Sequence, residues 1–470
     1  MKSETRLILL FCALCVSARS LLHAADEGLS ISVSTTSMSD VNNFIFGMMT
    51  EHYLEKWNTH DPAFTKLAKD MGVTHFQYPG GSLNYWWHYD PKGVGYCFKK
   101  DEYAQAFSQR HAASMEATEN FLTKFIDLCK DTDAAAVVNA NVWHGTVDEL
   151  DGALSEIKSN GVKVLSVILG VELQLGGGRI MTVEGYTECA KKYIAMLRSK
   201  HPEVKIFAWA APVDSAKATP YSAQWNAAVA RIENIDGITQ YQWCRNVVQA
   251  NATLDEQFDY GMSELKGFMA RLENDNAALA QHSSHWVIDQ WGMVDLGSPG
   301  GAKSAYGGTM LQFIHTCWQL LYVTDYNFRH PGFYQSLEYM KFGSSYSHDP
   351  LSLNDNRDPR SGYRINPAYY AFQLMSHIKN AKYAPAMVSG SSDVKAYYFE
   401  KDKEKYLFTL NLDKSAAQIG SLVVNGAALK PMLRKAYWSD KLSSAWSNIR
   451  SSDKGEGTLS PYSVSFFVLH

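Results

Sequence analysis

Several short apolar runs in the chain end in a residue able to move a proton or hold a hydroxyl. Val164–Leu169 leads into Gly170-Val171-Glu172, and Trp286–Ile288 into Asp289-Gln290-Trp291. Phe44–Met48 leads into Met49-Thr50-Glu51-His52, and Leu320–Thr324 into Asp325. His75–Tyr78 contains Gln77 and runs into Pro79-Gly80-Gly81-Ser82, while Ala135–Asn139 runs into Ala140-Asn141-Val142-Trp143-His144. Carboxyl groups gathered from several strand ends suit general acid–base chemistry. Trp143, Trp243 and Trp291 offer faces on which a sugar ring stacks, or bulk that packs the mouth of a barrel. Glu172, Glu51, His52 and Asp325 also suit the plainer task of organising loops. No metal or cofactor is expected. His282 and His285 have no Cys or carboxylate nearby to complete a ligand set, and Gly176-Gly177-Gly178 lacks the Lys-Ser/Thr of a phosphate-binding loop.

The runs that carry these residues alternate with amphipathic helical stretches from about Asn42 to Phe333, the pattern of repeated βα units. Strands are expected at Phe44–Met48, His75–Tyr78, Ala135–Asn139, Val164–Leu169, Ile206–Trp209, Gly237–Tyr241, Trp286–Ile288 and Leu320–Thr324. Eight such units predict an α/β fold of the (β/α)8 TIM-barrel type, whose active site lies at the C-terminal ends of the strands. A helix over Tyr369–Lys379 closes the barrel. Beyond it, Val394–Phe399, Lys405–Asn411, Ser421–Val424, Leu433–Trp438 and Ser463–Leu469 alternate apolar and polar residues, as strands of a C-terminal antiparallel β-sandwich do. Ile31-Ser32-Val33-Ser34 alternates likewise and is expected to join it. The expected organisation is a signal peptide over 1–25, the joining strand within 26–40, the barrel over 41–380 and the sandwich over 381–470.

The ordered set of strand ends resembles the clan A retaining glycoside hydrolases, and most of all the α-L-arabinofuranosidases. That family carries Phe-Gly-x-x-x-Glu-His on strand one, Arg-x-Pro-Gly-Gly-Asn on strand two, Gly-Asn-Glu on strand four and Asp-Glu-Trp on strand seven. The resemblance spans the whole barrel, and the trailing sandwich fits it. It implies Glu172 as the general acid/base and Glu51, with His52, as a binder of sugar hydroxyls. It also exposes departures. The family's strand-two Arg is Gln77 here, the Asn after Pro-Gly-Gly is Ser82, and the Asn before the acid/base is Val171. The nucleophilic Glu is Gln290. On strand six the matching positions are Tyr241 and Trp243.

An amide forms no useful glycosyl ester, so Gln290 closes the retaining route of the family. Strict strand alternation turns Asp289 toward the surrounding helices if Gln290 faces the barrel mouth, unless a bulge brings Asp289 inward as a nucleophile. An inverting route needs only a base, for which Glu51, Asp325 and Asp214 are available. Two functions follow: an exported glycoside hydrolase with a non-standard second catalytic group, or an inactive pseudo-glycosidase that keeps its glycan cleft.

Composition is compatible with both. Of 470 residues 46% are hydrophobic and 20% charged, as in ordinary soluble domains, and 44 basic against 48 acidic residues give a net charge of −4. Without a basic stripe, nucleic acid is not an expected partner; a glycan is. Lys2 and Arg6 before the apolar run Leu7–Val16, with small residues after it, read as a secretory signal too short to span a bilayer. An extracytoplasmic location is therefore expected. Cys12 and Cys15 fall in that segment, and Cys97, Cys129, Cys189, Cys244 and Cys317 are spaced too widely for a zinc site or a disulfide scaffold.

Overall fold

A computed structural model of the chain describes residues 28–50, 62–81, 84, 88–89, 121–174, 180–213, 219–247, 253–296, 308–339, 351–355 and 358–470. They form two compact units: Asn42–Lys379, and the described residues up to Val41 together with Asn380–His470.

The larger unit is a closed parallel barrel. Its strands, first to eighth, are Gly47–Met49, His75–Tyr78, Ala135–Ala140, Val164–Leu169, Lys205–Trp209, Gly237–Val247, Trp286–Leu296 and Tyr334–Tyr339. A helix follows each strand: Pro62–Asp70, Phe121–Thr132, Val147–Ser159, Val183–Lys200, Pro220–Val229, Leu254–Ala280, Met310–Arg329 and Pro367–Met375. Several of these helices start at a threonine whose side chain accepts a hydrogen bond from the first turn. Thr146 and Thr253 do so within full capping boxes, completed by Glu149 and Glu256. A hairpin of Leu351–Asp355 and Asp358–Ile365 is inserted before the last helix.

The eighth strand is not where the sequence pattern puts it. Leu320–Thr324 lies inside the helix Met310–Arg329, and the barrel closes instead through Tyr334–Tyr339, paired to the first and seventh strands. That helix is buried around nearly its whole circumference. Its buried positions, polar Gln312, His315 and Gln319 included, fall on all sides and leave no clear helical or strand period to read, which is why a short apolar run within it passes for a strand. The better cue is the absence of Gly and Pro from Thr309 to His330, followed by the turn pair Pro331-Gly332. The correction moves Asp325 off the strand ends: it sits on the helix, bonded to Arg329 one turn later.

The barrel lumen is polar at its centre, and a glycine makes room for it. His75 on the second strand reaches past the first strand to hydrogen-bond Glu338 on the eighth, Nε2 to Oε1 at 3.1 Å, and Ser336 donates to the same oxygen at 2.8 Å. Both His75 and Glu338 are fully buried. A Cβ on Gly47, which lies between them, would stand 2.0 Å from His75 Nε2 and 2.5 Å from the carbonyl oxygen of Leu337. One of those obstacles is backbone and cannot rotate away. Gly47→Ala is expected to cost about 3 kcal/mol, read as a lower urea midpoint. His75→Ala in the same chain should recover only part of it, because the Leu337 contact remains.

The second unit is the expected sandwich, formed by one sheet that curls over its own core, with a single parallel pairing among antiparallel ones. Leu29–Val33 pairs antiparallel with Lys382–Ser389 but parallel with Ala417–Val424, so the early strand is built into the sheet's middle and makes it mixed. Alternate residues such as Ile31, Tyr398, Leu407 and Phe467 face inward and form the core. Among the described residues Cys129, Cys189, Cys244 and Cys317 are free thiols, and no helix is long and apolar enough to cross a membrane.

Candidate active site

The seventh strand carries the decisive local feature. Relative to the sixth strand, Ile288 pairs with Gln240 and Gln290 with Tyr241, so Asp289 is an extra residue; relative to the eighth strand, Ile288 pairs with Leu337 and Trp291 with Tyr339. This is a β-bulge, and it breaks the alternation that would send Asp289 and Gln290 to opposite faces. Gln242 on strand six donates to Asn276 of the helix outside the barrel. Its neighbours Tyr241 and Trp243 therefore face the lumen, and with them the partner of Tyr241, Gln290. Asp289 also faces inward, because its carboxyl meets side chains from strands two and three. The bulge thus turns both residues into the lumen.

There they form a closed polar knot. Gln77 Nε2 donates to Asn139 Oδ1 at 2.9 Å and also to Asp289 Oδ1, while Gln290 Nε2 donates to Asp289 Oδ2 at 3.2 Å. Asp289 has no exposed surface and Gln290 retains 4%. Burial, with the nearby Glu338 carboxylate, pushes Asp289 up to about 8, against the hydrogen bonds from Gln77, Gln290 and Asn139 that favour its ionised form. An arginine where Gln77 stands would bring a cation to Asp289 and hold it ionised; a neutral amide does not. Burial thus favours the protonated form of Asp289, and a carboxyl with no exposed surface is poorly placed as a nucleophile.

Glu172 belongs to the same end of the barrel. It lies three residues beyond Leu169, the last residue of strand four, and strands four and seven are nearly opposite in the ring. The turn that presents it contains two left-handed residues: Gly170 at φ 79°, where glycine is at ease, and Glu172 itself at φ 53°, a conformation uncommon for glutamate. Hydrogen bonds brace that turn. Trp209 Nε1 donates to Gln174 Oε1 at 2.8 Å, and the Tyr186 hydroxyl donates to the Leu169 carbonyl at 2.8 Å. Glu172 is half-buried. Strain held by its surroundings tends to mark a functional position.

A Cβ on Gly170 would lie 2.4 Å from Leu173 Cδ1 and 2.9 Å from Val142 Cγ2, and no side chain sits comfortably at its φ. Gly170→Ala should lower stability by about 1–2 kcal/mol. Because a displacement of ~1 Å at a catalytic group costs ~10²-fold, its turnover should fall more than its stability explains. Denaturation and kcat measured on the same preparation separate the two effects.

The remaining sequence candidates divide clearly. Tyr241 and Trp243 stack at 4.6 Å, with Trp209 tilted 6.2 Å from Tyr241, so an aromatic wall runs from strand five to strand six. Trp143 is half-buried after strand three and stacks on His144 at 4.2 Å; Asn141 fixes this turn by accepting the amides of Trp143 and His144. Trp291 is different. It is wholly buried behind the barrel wall, against Tyr339, Phe372 and His315, and has no face for a sugar. Asp325 is on the outer helix, as described above. Glu51, His52, Ser82 and Asp214 lie outside the described residues. The sequence reading missed Glu338 and His75 as partners of the site, since neither closes a strand in a recognisable motif; the burial of charge-capable residues on the lumen face emerges only once the strands are paired.

A closed (β/α)8 barrel followed in the chain by a curled β-sheet unit is a fold shared with solved glycoside hydrolases, arabinofuranosidases among them. The family 51 arabinofuranosidase from Xanthomonas axonopodis pv. citri superposes with a TM-score of 0.72 over 94% of this chain and 100% of its own, at 15% sequence identity. A family 51 α-L-arabinofuranosidase from Bifidobacterium longum gives 0.70 over 94% and 99% at 14% identity. A family 44 xyloglucanase from Paenibacillus polymyxa gives 0.57 over 94% and 99% at 12% identity. No protein-family profile and no curated protein matches the sequence.

Proposed function

We propose that the chain is an exported glycoside hydrolase-like protein that acts on an oligosaccharide or polysaccharide, with Glu172 as general acid/base and without a carboxylate nucleophile on strand seven. The observation that carries this reading is the presentation of Glu172: half-buried, at the C-terminal end of a barrel strand, in a left-handed conformation held by Gly170 and braced through Gln174. A half-buried carboxyl at a strand end can hand a proton to a leaving oxygen and take one back from water. Half-buried Trp243, stacked on the buried Tyr241, supports a sugar-binding role at the same strand ends. Export rests on the segment from Met1 to about Ala25, and the near-balanced charge favours a neutral glycan over nucleic acid. Specificity for arabinofuranosides is not carried over, because Gln77, Ser82, Val171 and Gln290 replace the groups that the resemblance assigns to that sugar.

A second reading has its own observation. Asp289 and Gln290 satisfy each other and Gln77 in a knot with little access to solvent, which is also what a barrel without catalysis would keep for stability. That reading makes the protein a glycan-binding pseudo-glycosidase. A panel of aryl glycosides and polysaccharides, assayed for both turnover and binding, decides. Turnover of any member supports the hydrolase; binding of a glycan with no turnover supports the second reading.

A further inference from the structure

Two buried tyrosines take no part in proton transfer, yet their hydroxyls converge on the turns that carry the site. Tyr186 and Tyr193 lie on the helix Val183–Lys200, seven residues and so about two turns apart on one face. Burial pushes both phenols up, so each keeps the proton it needs as a donor. Tyr186 donates to the Leu169 carbonyl at the end of strand four, at 2.8 Å, and accepts the Trp209 amide of strand five at 2.6 Å. Tyr193 donates to the Asn141 carbonyl, one residue past strand three, at 2.8 Å.

Each of those carbonyls opens a turn that ends in a site residue. Leu169 leads to Glu172. Asn141 leads to Trp143 and His144, whose amides both bond back to its side chain, at 3.3 and 3.0 Å. The two turns also touch: Gly170 gives its amide to the Ala140 carbonyl at 3.1 Å, and a Cβ on Gly170 would stand 2.9 Å from Val142 Cγ2. Glu172 and Trp143 are therefore carried on neighbouring turns that pack together and are tied to a single helix. Trp143, half-buried and stacked on His144 at 4.2 Å, is a fixed aromatic surface of the kind on which the C–H face of a sugar rests. Resting on the hydrolase reading, we propose that Tyr186 and Tyr193 are positioning residues that divide the site between them: Tyr186 sets Glu172 for proton transfer, and Tyr193 sets Trp143 as the platform for a sugar ring of the same glycan. Neither tyrosine touches the substrate. The helix fixes the separation of acid and bound ring, and a glycosidic oxygen must match that separation to receive the proton.

Steady-state kinetics of the full chain separate the two roles. The substrate is whichever of a panel of 4-nitrophenyl glycosides and of xylo-, arabino- and xyloglucan oligosaccharides the unmodified protein turns over fastest. Tyr193→Phe is expected to raise KM about fivefold, the worth of one hydrogen bond, with kcat within about twofold. Tyr186→Phe is expected to do the reverse, lowering kcat about tenfold with KM within about twofold. In a Trp143→Ala background Tyr193→Phe should add nothing further to KM, because it acts through that ring alone, whereas a merely structural role would add its full effect again. Urea midpoints show that each variant is folded. If Tyr193→Phe fails to fold, Trp143→Ala carries the test and must raise KM by at least as much. Equal losses in the two tyrosine variants, additive effects in the double variant, or a KM unmoved by Trp143→Ala overturn the inference and leave the hydrolase reading standing. Turnover of no member of the panel defeats that reading, and this inference with it.

Discussion

Asp289→Asn flattens the dependence of stability on pH between about 4 and 8. In the folded chain this carboxyl titrates at about 8 against an ordinary value of 3.8, with burial as the main cause and the Glu338 carboxylate as the second. Between those values the folded protein holds a proton that the unfolded chain has released. Stability contributed by that proton is fully present below pH ~4, falls as pH rises, and is gone above ~8, where both states are ionised. The corresponding free energy is roughly 6 kcal/mol across the window, a large part of the stability of an ordinary domain. An asparagine has no proton to lose. It keeps an oxygen for Gln77, and its amide faces Gln290, which can rotate to accept. Urea denaturation at pH 4.5, 6, 7 and 8.5 checks this: the unmodified chain should lose stability along that series from the Asp289 contribution, and the variant should lack that part of the slope. Equal slopes would mean that Asp289 is ionised in the fold and that another group shields it.

Glu172→Gln should reduce turnover of a glycan by ~10²–10⁴-fold, about 3–5 kcal/mol of barrel-mouth chemistry. The substitution preserves size and the accepting oxygen, so substrate affinity should change little, and the loss should appear in kcat. Its size should depend on the leaving group. A dinitrophenolate departs without protonation and should be little affected, whereas a sugar alcohol needs the proton at departure and should suffer the full effect. Steady-state rates on a series of aryl glycosides of falling leaving-group acidity, ending in the natural oligosaccharide, show whether the penalty grows along the series. A flat series would assign Glu172 to binding rather than to proton transfer.

Periodicity carried most of the fold. Seven barrel strands are legible because each is a short apolar run bounded by turn residues, and the helices between them are legible from their amphipathic spacing and threonine caps. The eighth strand was hidden by its predecessor: a helix buried on every side erases the signal that distinguishes it from a strand, and Tyr334–Tyr339, with Gln335, Ser336 and Glu338 among its residues, looks too polar for a barrel wall. Those polar residues make sense only in three dimensions, where Glu338 faces His75 across Gly47. The early strand Leu29–Val33 was legible as a partner of the second unit, but its parallel pairing with Ala417–Val424 was not, since alternation says nothing about direction.

The site was legible in outline for the same reason. Strand ends are visible in sequence, and Glu172, Gln77, Asn139 and Asp289 lie on or just beyond them. Which way a side chain turns at a bulge is invisible, because an extra residue leaves no mark on composition. The choice between Asp289 and Gln290 as the lumen-facing residue therefore had no correct answer at the level of alternation: the bulge admits both. Trp291 shows the opposite limit. A tryptophan beside two site residues invites a sugar-stacking role, yet the bulge places it on the outer face, under Phe372 and His315. Asp325 fails as a site residue only because its strand was a helix.

The central claim is that strand seven supplies no nucleophile, although a carboxyl stands there beside Gln290. Azide tests this directly in an Asp289→Gly variant, on whichever aryl glycoside the unmodified protein hydrolyses. If Asp289 attacked the anomeric carbon, its removal would cost roughly 10⁶-fold, and azide entering the vacated space would restore turnover and yield a glycosyl azide of inverted configuration. The site described here predicts neither: azide should leave the variant's rate unchanged, and NMR of the products should show the free sugar alone. Rescue by azide, with a glycosyl azide in the spectrum, would contradict it.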